Sequence, residues 1–212
     1  KHTIDQACRM HARLVVVHPG RIAGSHTMDD QLRALYRAGR KGSDEYEALR
    51  EAVIFDRAAR AEPHLDRCLE SLSEIIDFAE GCGLMIGLEN RFHYYELPVY
   101  NEIEQMMDAF TQPWVGWQFD VGHLQVHHQL GLLDFEAWLE KFGSRIVGVH
   151  LHDVIGIVDH QSPGQGDVDF QRISRYLPRD AYRAAEIDKS VTCADLADGM
   201  NYLAQCGCVT KI

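Results

Sequence analysis

The sequence has few cysteines, and none of them forms a C-x-x-C pair. Cys206 and Cys208 make a single C-x-C near the end, which is only a weak indication of a metal ligand, and the other four cysteines stand alone. This usage argues against a disulfide framework. It is typical of reduced thiols in a cytosolic protein.

Long apolar runs and an excess of positive charge are missing as well. No stretch of about 18 or more residues is apolar and no signal peptide opens the chain, so we expect a cytoplasmic protein without a membrane span. The 21 basic residues against 32 acidic ones give a formal net charge of −11, which argues against a protein held mainly by nucleic-acid phosphates. An initial Met is also missing. The chain begins at Lys1, inside a helical pattern, and we expect further sequence before it.

What is present is a globular composition, 46% hydrophobic and 25% charged, in 212 residues that suffice for one sizeable core. We therefore treat residues 1–212 as a single domain.

The most informative feature is a set of short apolar runs that read as buried strands and end on His, Glu or Asp. These runs are VVVHPG (15–20), MIGLEN (85–90), WQFDVGH (117–123), VGVHLHD (147–153) and YRAAEID (182–188). Carboxylates and imidazoles that converge from different strands are the ligands that a divalent metal ion needs.

Helical patterns alternate with these strands along the chain. The sequence predicts helices over 4–14, 44–80 (in two parts divided near Pro63), 99–110, 134–142, 169–177 and 193–205, a polar excursion over 21–43 and a long loop over 153–168. Alternating helices and strands predict a parallel sheet with right-handed crossovers.

The spacing of the metal-type residues extends this prediction to a closed barrel. Glu89, Asp120 and His150 follow one another at spacings of 31 and 30 residues, about one βα unit each. Side chains from four or five successive strands meet at the carboxyl ends only if the sheet closes, so we predict a (β/α)8 TIM barrel. Five clear strands are too few to close one. We therefore expect that about two N-terminal βα units are absent, that strands three to eight are present, and that the seventh is short near 165–169.

Glu89 and Asp120 end two of the apolar runs. A lone buried carboxylate is costly unless it is paired or bound to a metal, so Glu89 is a candidate ligand, with a salt bridge to Arg91 as the structural alternative. Asp120 is a candidate ligand or a cap for the following turn. His123 lies three residues further on, so D-V-G-H could present two groups to one site.

The run H-L-H-D places His150 and His152 on one face of a strand. We favour His150 as the metal ligand and Asp153 as its support, although the two histidines could exchange places; a core histidine and a helix cap are the structural alternative. Glu186, flanked by small residues in A-A-E-I-D, is a candidate ligand or a surface residue of an edge strand.

Further candidates lie next to these strand ends. His18 precedes Pro19, which stiffens the exit from its strand, and could bind substrate or metal or pack in the barrel mouth. His160 stands before a glycine-bearing loop and could touch an anionic or polyhydroxy substrate or remain solvated. The loop 91–96, which carries Arg91 and His93 among aromatic residues, suits a polar, sugar-like substrate or is ordinary loop packing.

The motifs H-P-G, L-E-N, F-D-V-G-H and V-H-L-H-D-V and the loop H-x-x-P-G-Q-G-D-V-D-F resemble the xylose-isomerase-like TIM barrels. This superfamily contains sugar phosphate isomerases and epimerases and endonuclease IV, and the resemblance runs from residue 1 to about 205. It implies one divalent metal ion (Mn, Mg, Co or Zn) held by Glu89, Asp120, His150 and Glu186. In the epimerase branch it further implies that the two glutamates move protons on and off carbon and that His123 binds substrate.

Our leading hypothesis is a metal-dependent sugar or sugar-phosphate isomerase or epimerase of carbohydrate metabolism. The metal would bind two adjacent oxygens of an α-hydroxy carbonyl, acidify the carbon-bound proton and stabilise an enediolate, with Glu89 and Glu186 as base and acid. Substrate contacts are expected from His18, Arg91, His93, His123, His152 and His160. The expected partner is a small sugar or sugar phosphate, and neither nucleic acid nor a membrane is expected. Unpaired sheet edges would be covered by more chain or by a partner, so a homo-oligomer is one expected arrangement.

Two other readings stay open. In the endonuclease IV branch, His18, His123 and His160 would help to hold several zinc ions in a phosphodiesterase that acts on damaged DNA. That branch has an Asp two residues before its counterpart of His160, where this chain has Val158, and the acidic net charge further disfavours DNA. The third reading is a barrel that binds a polyol or sugar phosphate without turnover.

Overall fold

The computed structural model describes residues 1–24 and 26–210, and its centre is a five-stranded parallel sheet. In spatial order, the sheet consists of β1 (Leu14–Val17), β3 (Met85–Glu89), β5 (Val115–Asp120), β6 (Ile146–Leu151) and β9 (Tyr182–Ala185). Two antiparallel pairs lie outside it: β2 (Gly20–Arg21) with β4 (Glu96–Leu97), and β7 (Asp153–Ile155) with β8 (Val158–Gln161). Each sheet strand therefore pairs with the sheet strand that precedes it in the chain, as in successive βα units.

Helices connect these strands, and a curled parallel sheet covered in this way is half of a (β/α)8 barrel, which confirms the predicted TIM-barrel fold. The helices are α1 (His2–Arg9), α2 (His26–Arg37), α3 (Asp44–Ala79), α4 (Tyr100–Ala109), α5 (Val121–Gln129), α6 (Phe135–Phe142), α7 (Phe170–Ile173) and α8 (Cys193–Gln205). Among the helices described, none combines the length and apolar character needed to cross a bilayer.

The alternation of side chains along β5 shows how the sheet separates core from site. Trp117 and Phe119 are fully buried on the helix side, where the Trp117 ring lies 5.6 Å from that of Trp138 on α6. Gln118 and Asp120 point to the opposite face because successive strand residues alternate. Asp120 therefore reaches the barrel mouth at the carboxyl end of its strand.

Helix α3 differs from its prediction because it runs unbroken through Pro63. A proline inside a helix removes one hydrogen bond and strains the preceding turn. Val53 and Arg57 before the proline and Leu65 and Cys68 after it are all buried. Packing on both sides therefore holds the two halves in line.

The strand predicted near 165–169 is absent, and these residues form a loop. β9 pairs directly with β6, with Ala184 opposite His150, so the described sheet has five strands and not six. The backbone N–H groups of Gly166 and Val168 donate to the Asp153 carboxylate at 2.9 and 3.0 Å. Since these donors are already used, they are not available to a neighbouring strand.

Several further elements were not predicted, and the β2–β4 pair is one of them. Helix α2 lies within the polar excursion, the β7–β8 hairpin lies within the long loop, and α5 follows β5 without a break. Residues 121–127 of α5 are all buried, so this helix has no polar face and lacks the periodicity that reveals amphipathic helices in a sequence.

Candidate functional site

The strand ends deliver acidic and imidazole side chains to one edge of the sheet, as predicted. Glu89 and Asp120 are the last residues of β3 and β5, and His150 is the last but one of β6. His18 and Glu186 directly follow β1 and β9. All five lie at the carboxyl ends, where parallel α/β folds place their sites.

Four of these side chains converge on one point. Glu89, Asp120, His150 and Glu186 each offer a ligand atom within 4.8 Å of the others. His150 Nδ1 lies 2.9 Å from Glu89 Oε1, 2.7 Å from Glu186 Oε2 and 3.4 Å from Asp120 Oδ2. One imidazole nitrogen cannot satisfy three carboxylates, and Asp120 Oδ2 and His150 Nδ1 are buried without a well-formed hydrogen bond. Three carboxylate oxygens and one imidazole nitrogen therefore fit a divalent cation.

The carboxylates dominate the electrostatics of this cluster. Burial alone would lower the pKa of His150, but Asp120, Glu186 and Glu89 around its Nδ1 raise that pKa to about 11. His150 and His160 in turn lower the pKa of Glu186. Without a metal ion, a protonated His150 thus supplies the positive charge that the three carboxylates need.

Asp120 combines the two roles that its sequence position left open. Its Oδ1 accepts the His123 backbone N–H at 2.8 Å and thereby caps α5, while its Oδ2 lies on the His150 side. Burial acts to raise the pKa of Asp120, but the imidazoles of His123, His152 and His150 hold it well below its usual value. Asp120 is therefore an ionised, buried carboxylate with one oxygen left for a metal.

Asn90 fixes the backbone of Asp120 and was missed in the sequence. Its side-chain Nδ2 donates to the Asp120 carbonyl at 2.8 Å, and its Oδ1 accepts the Asp120 N–H and Trp117 Nε1–H, both at 2.9 Å. The third residue of L-E-N thus ties β3 to the end of β5.

His152, which was predicted to contact substrate, is buried and uses both ring nitrogens in contacts within the protein. The residue is 0% exposed, and its Nδ1 accepts the His160 backbone N–H at 2.8 Å. Its Nε2 must then carry the proton, which it donates to Asp120 Oδ1 at 2.9 Å. A Cβ at Gly122 would lie 2.2 Å from the His152 ring, which explains the glycine in F-D-V-G-H. His152 is a support for Asp120.

Replacing His152 with Ala is expected to weaken divalent-metal binding by about 10–100-fold, because Asp120 loses the donor that fixes its Oδ1. Titration of the metal-free protein with Mn²⁺, followed by calorimetry, would measure the change. The matched control is His128→Ala, an exposed histidine on α5. Equal metal affinity in the two variants would contradict the supporting role of His152.

A second group forms beside the first from His123, Asp159 and His160. Asp159 Oδ2 lies 3.6 Å from His123 Nε2 and 3.2 Å from His160 Nδ1. Asp159, followed by Glu186 at 3.7 Å from Nε2, raises the pKa of His160 to about 10. Val158 is exposed, and the carboxylate that reaches the two histidines is that of Asp159, one residue further on, which was not among the predicted site residues.

His18 and Arg91 both contact Glu89. His18 Nε2 lies 2.8 Å from Glu89 Oε2, and Arg91 Nη1 donates to the same oxygen. Arg91 Nε also lies 3.6 Å from Glu96 Oε1. The salt bridge that was the alternative for Glu89 is therefore present, and it engages the oxygen that does not face His150.

His93 lies in a separate group with Asp29 and Asp30. Its Nδ1 is 2.9 Å from Asp29 Oδ2, and its ring stacks on Tyr95 with centroids 4.9 Å apart. The structure thus brings His18, Arg91, His123 and His160 to the acidic cluster and places His93 at its side.

Buried cations fix the loop 91–96 that carries Arg91 and His93. Arg33 donates to the Phe92 carbonyl, and Arg57 donates to the carbonyls of Tyr94 at 2.5 Å and Glu96 at 2.9 Å. His127 also contacts the Phe92 carbonyl, and burial lowers the pKa of this histidine to about 3, so it stays neutral. These contacts hold the loop in place beside the acidic cluster.

Asp153 does not support His150. Its carboxylate accepts four backbone N–H groups, from Val154, Gly164, Gly166 and Val168, at 2.8–3.0 Å. It therefore holds together the glycine-bearing loop 162–168, hereafter the glycine loop, from the inside.

All six cysteines are free in the structure. The metal-type groups found among residues 1–24 and 26–210 contain no cysteine, so the C-x-C is not part of one there. Cys208 is buried against the Phe170 carbonyl, with its Sγ 3.3 Å from that oxygen.

The chain resembles known proteins in both sequence and fold. The chain is 30% identical over 122 residues to the uncharacterized protein MJ1311 of Methanocaldococcus jannaschii; the match covers 56% of this chain and 41% of that protein. The chain thus spans less than half the length of this curated relative.

Solved structures with this fold include a D-tagatose 3-epimerase-like protein (TM-score 0.61, 23% identity, 96% of this chain and 65% of that one). D-psicose 3-epimerase with D-tagatose from Clostridium cellulolyticum H10 gives a TM-score of 0.57 at 12% identity, covering 97% and 93%. The IOLI protein with a binding zinc atom gives 0.55 at 14% identity, covering 98% and 82%. A family model described as a xylose isomerase-like TIM barrel matches residues 1–188. The chain therefore belongs to the xylose isomerase-like TIM barrel family.

Proposed function

We propose that this chain forms the metal-binding part of a sugar isomerase or epimerase that moves a proton at the carbon next to a carbonyl. One observation carries the proposal: Glu89 and Glu186 approach the same point from two sides. Glu89 ends β3 and Glu186 directly follows β9, the two strands that flank β5 and β6 in the sheet, and each glutamate lies within 2.9 Å of His150 Nδ1. Such a pair could remove a proton from one carbon and return one.

Glu89, Asp120, His150 and Glu186 would hold the metal ion. Mn, Mg, Co and Zn all accept carboxylate ligands, and the imidazole favours the transition metals among them. When bound, the ion would polarise the carbonyl and make the neighbouring C–H more acidic. The structurally similar IOLI protein is described with a binding zinc atom, which supports a metal ion in a protein of this fold.

The protein side chains would divide the proton transfer between them. One glutamate accepts the carbon-bound proton as a carboxylate, and the other delivers a proton to the carbon. The lowered pKa of Glu186, caused by His150 and His160, keeps this group ionised. On Glu89, Arg91 and His18 hold Oε2, which leaves Oε1 on the His150 side.

A sugar is the substrate class that the surroundings support best. His123, Asp159 and His160 offer hydrogen-bond donors and acceptors beside Glu186, as a chain of hydroxyl groups requires. The printed names of similar structures, a D-tagatose 3-epimerase-like protein and a D-psicose 3-epimerase, support the same class.

Metal removal and reconstitution would test this function. The protein is stripped with a chelator, reloaded with Mn²⁺, and incubated in D2O with D-fructose and D-tagatose. We expect deuterium at a carbon next to the carbonyl, detected by NMR, only when metal is present. Equal exchange without metal would contradict the metal role, and ligand-induced stabilisation without exchange would favour a non-catalytic sugar-binding barrel.

A zinc phosphodiesterase is the second candidate, because His123, Asp159 and His160 form a further set of nitrogen and oxygen donors beside the first. It requires more than one zinc ion per chain and cleavage of an abasic DNA duplex. The net charge of −11 opposes it. Elemental analysis of zinc-loaded protein together with the cleavage assay separates the two candidates.

A further inference from the structure

We propose that Cys8 and Cys82 are a thiol pair that forms a reversible intramolecular disulfide when it meets a small-molecule disulfide. Cys8 lies on α1, before β1, and Cys82 lies in the turn between α3 and β3. The pair is therefore at the amino ends of these two strands, whereas the acidic cluster is at the carboxyl ends. Neither cysteine belongs to that cluster, so the thiol pair stands apart from the proposed function.

The course of the chain brings the two cysteines close together. β1 and β3 are parallel neighbours, with Leu14 paired to Met85, so the segments that enter them run side by side. The Met85 N–H donates to the Arg13 carbonyl at 2.8 Å, directly before β1. Further back, Lys1 Nζ lies 2.9 Å from Glu74 Oε2, which ties the start of α1 to the last two turns of α3.

The two thiols are in contact with each other. The side chain of Cys8 is hydrogen-bonded to that of Cys82, and both side chains are partly exposed at the margin of the core. Gly81 and Gly83 flank Cys82 with φ of 77° and 67°, and a Cβ added at either glycine would meet nothing within 4 Å. The turn is thus loosely packed. Cys82 can therefore make the small approach that a sulfur–sulfur bond requires.

The other four cysteines, all within the described part of the chain, are either buried or without a thiol contact. Cys68 and Cys208 are buried, and burial raises the pKa of the first thiol to about 11 and that of the second to about 12. Cys206 is buried as well. A buried thiol that keeps its proton is a poor nucleophile. Cys193, the first residue of α8, is exposed and is the competitor that an experiment must control for.

The reaction is a thiol–disulfide exchange in two steps. One cysteine thiolate attacks a sulfur of the small disulfide, which forms a mixed disulfide and releases one small thiol. The other cysteine then attacks the protein sulfur of the mixed disulfide and releases the second small thiol. The pair loses two electrons and two protons, and the small disulfide gains both. The hydrogen bond with Cys82 raises the pKa of the Cys8 thiol, so we expect Cys82 to attack first.

The disulfide would stabilise the first part of the fold. It would enclose residues 8–82, which contain α2, α3 and the edge strand β1. A cross-link that closes so long a loop lowers the entropy of the unfolded chain, and we expect Tm to rise by roughly 5–15 °C. The acidic cluster lies at the other end of the strands, so metal affinity should be the same in the reduced and oxidised forms.

Oxidation of the full chain by oxidised glutathione tests the proposal. The reduced protein is incubated with oxidised glutathione, the remaining thiols are blocked with iodoacetamide, and a digest is analysed by mass spectrometry. Tm is measured before and after dithiothreitol. We expect two peptides joined through Cys8 and Cys82, a higher Tm, and full reversal of both by dithiothreitol. If the two cysteines are found alkylated, or keep glutathione as stable mixed disulfides, the proposal is overturned.

Serine variants distinguish the pair from general thiol reactivity. In Cys8→Ser and Cys82→Ser the hydroxyl is close to the thiol in size but cannot form the bond. Oxidised glutathione should then leave a mixed disulfide on the remaining cysteine and should not raise Tm. Cys193→Ser, which removes the exposed cysteine of α8, is the matched control and should oxidise like the parent protein. An equal rise of Tm in Cys8→Ser and Cys193→Ser would rule out the cross-link as its cause.

Discussion

Replacing Glu186 with Gln is expected to lower the rate of deuterium exchange by about a hundred- to ten-thousand-fold. The amide keeps the shape of the side chain but cannot accept a proton from carbon. Glu186 is half-exposed at the end of β9, so its charge is not needed to hold the core, and the fold should survive. The measurement is deuterium uptake into the sugar by NMR, at saturating metal.

Glu51→Gln is the matched control, because Glu51 is an exposed carboxylate on α3. Metal affinity must be measured in parallel, since Glu186 would also contribute an oxygen to the ion. A loss of exchange that metal excess does not restore identifies Glu186 as an acid or base. Full exchange in Glu186→Gln would remove it from the reaction.

The strand-end residues could be predicted because their signal is local. An apolar run that ends on Glu89, Asp120 or His150 specifies both a buried strand and the edge at which its last side chain lies. The regular spacing then required the strands to be neighbours, and the pairing of Glu89 with Gln118 and of Asp120 with His150 agrees with it. The barrel class follows from this level of information, whereas the choice of four residues, with Glu186 among them, came from the family resemblance.

The assignment of roles within H-L-H-D could not be predicted in the same way. Strand alternation places His150 and His152 on one face and does not distinguish them. The distinction comes from the His160 backbone N–H, which lies in β8 and donates to Nδ1 of His152. That contact depends on a left-handed conformation of His160, with φ of 56°, which no strand pattern reveals.

The role of the glycine loop was hidden for a related reason. Glycines in P-G-Q-G-D suggest a cradle for a ligand, and the loop is a cradle, but the anion within it is the Asp153 carboxylate. The sequence indicates that backbone N–H groups will converge here. It does not indicate which acceptor, a bound ligand or a side chain of the protein, will accept their hydrogen bonds. Asp153 appeared to support His150 only because the two residues are close in sequence.

Uptake of one divalent ion is expected to release about one proton near pH 7, and the apparent metal affinity is expected to rise about tenfold per pH unit between pH 6.5 and 8. The cause is His150, whose pKa rises from 6.5 to about 11 when its Nδ1 lies among Asp120, Glu186 and Glu89. A metal ion must displace that proton to reach the nitrogen. Throughout this range the imidazole is still protonated in the metal-free protein. Each rise of one pH unit therefore weakens the competition of the proton for Nδ1 tenfold and raises the apparent metal affinity by the same factor.

The shifted pKa values of His150 and Glu186 also determine how the stability of the metal-free fold changes with pH. A raised histidine pKa stabilises the metal-free fold fully below 6.5, and this contribution is lost as the pH rises towards 11. The lowered pKa of Glu186 stabilises the fold above its usual value of 4.5 and is lost as the pH falls. Metal should therefore stabilise the fold more strongly at pH 8 than at pH 6.5. At the higher pH the proton competes less with the metal ion for His150, and protonation of His150 contributes less to the stability of the metal-free fold.

Calorimetric Mn²⁺ titrations in two buffers of different ionisation enthalpy, Pipes and Tris, would count the released protons. His150→Gln is the informative comparison, because its amide oxygen can face a metal without carrying a proton. We expect this variant to bind metal more weakly and with almost no proton release. Proton release that persists in His150→Gln would assign the proton to another group of the cluster, and the absence of release in the parent protein would show that His150 is neutral before metal arrives.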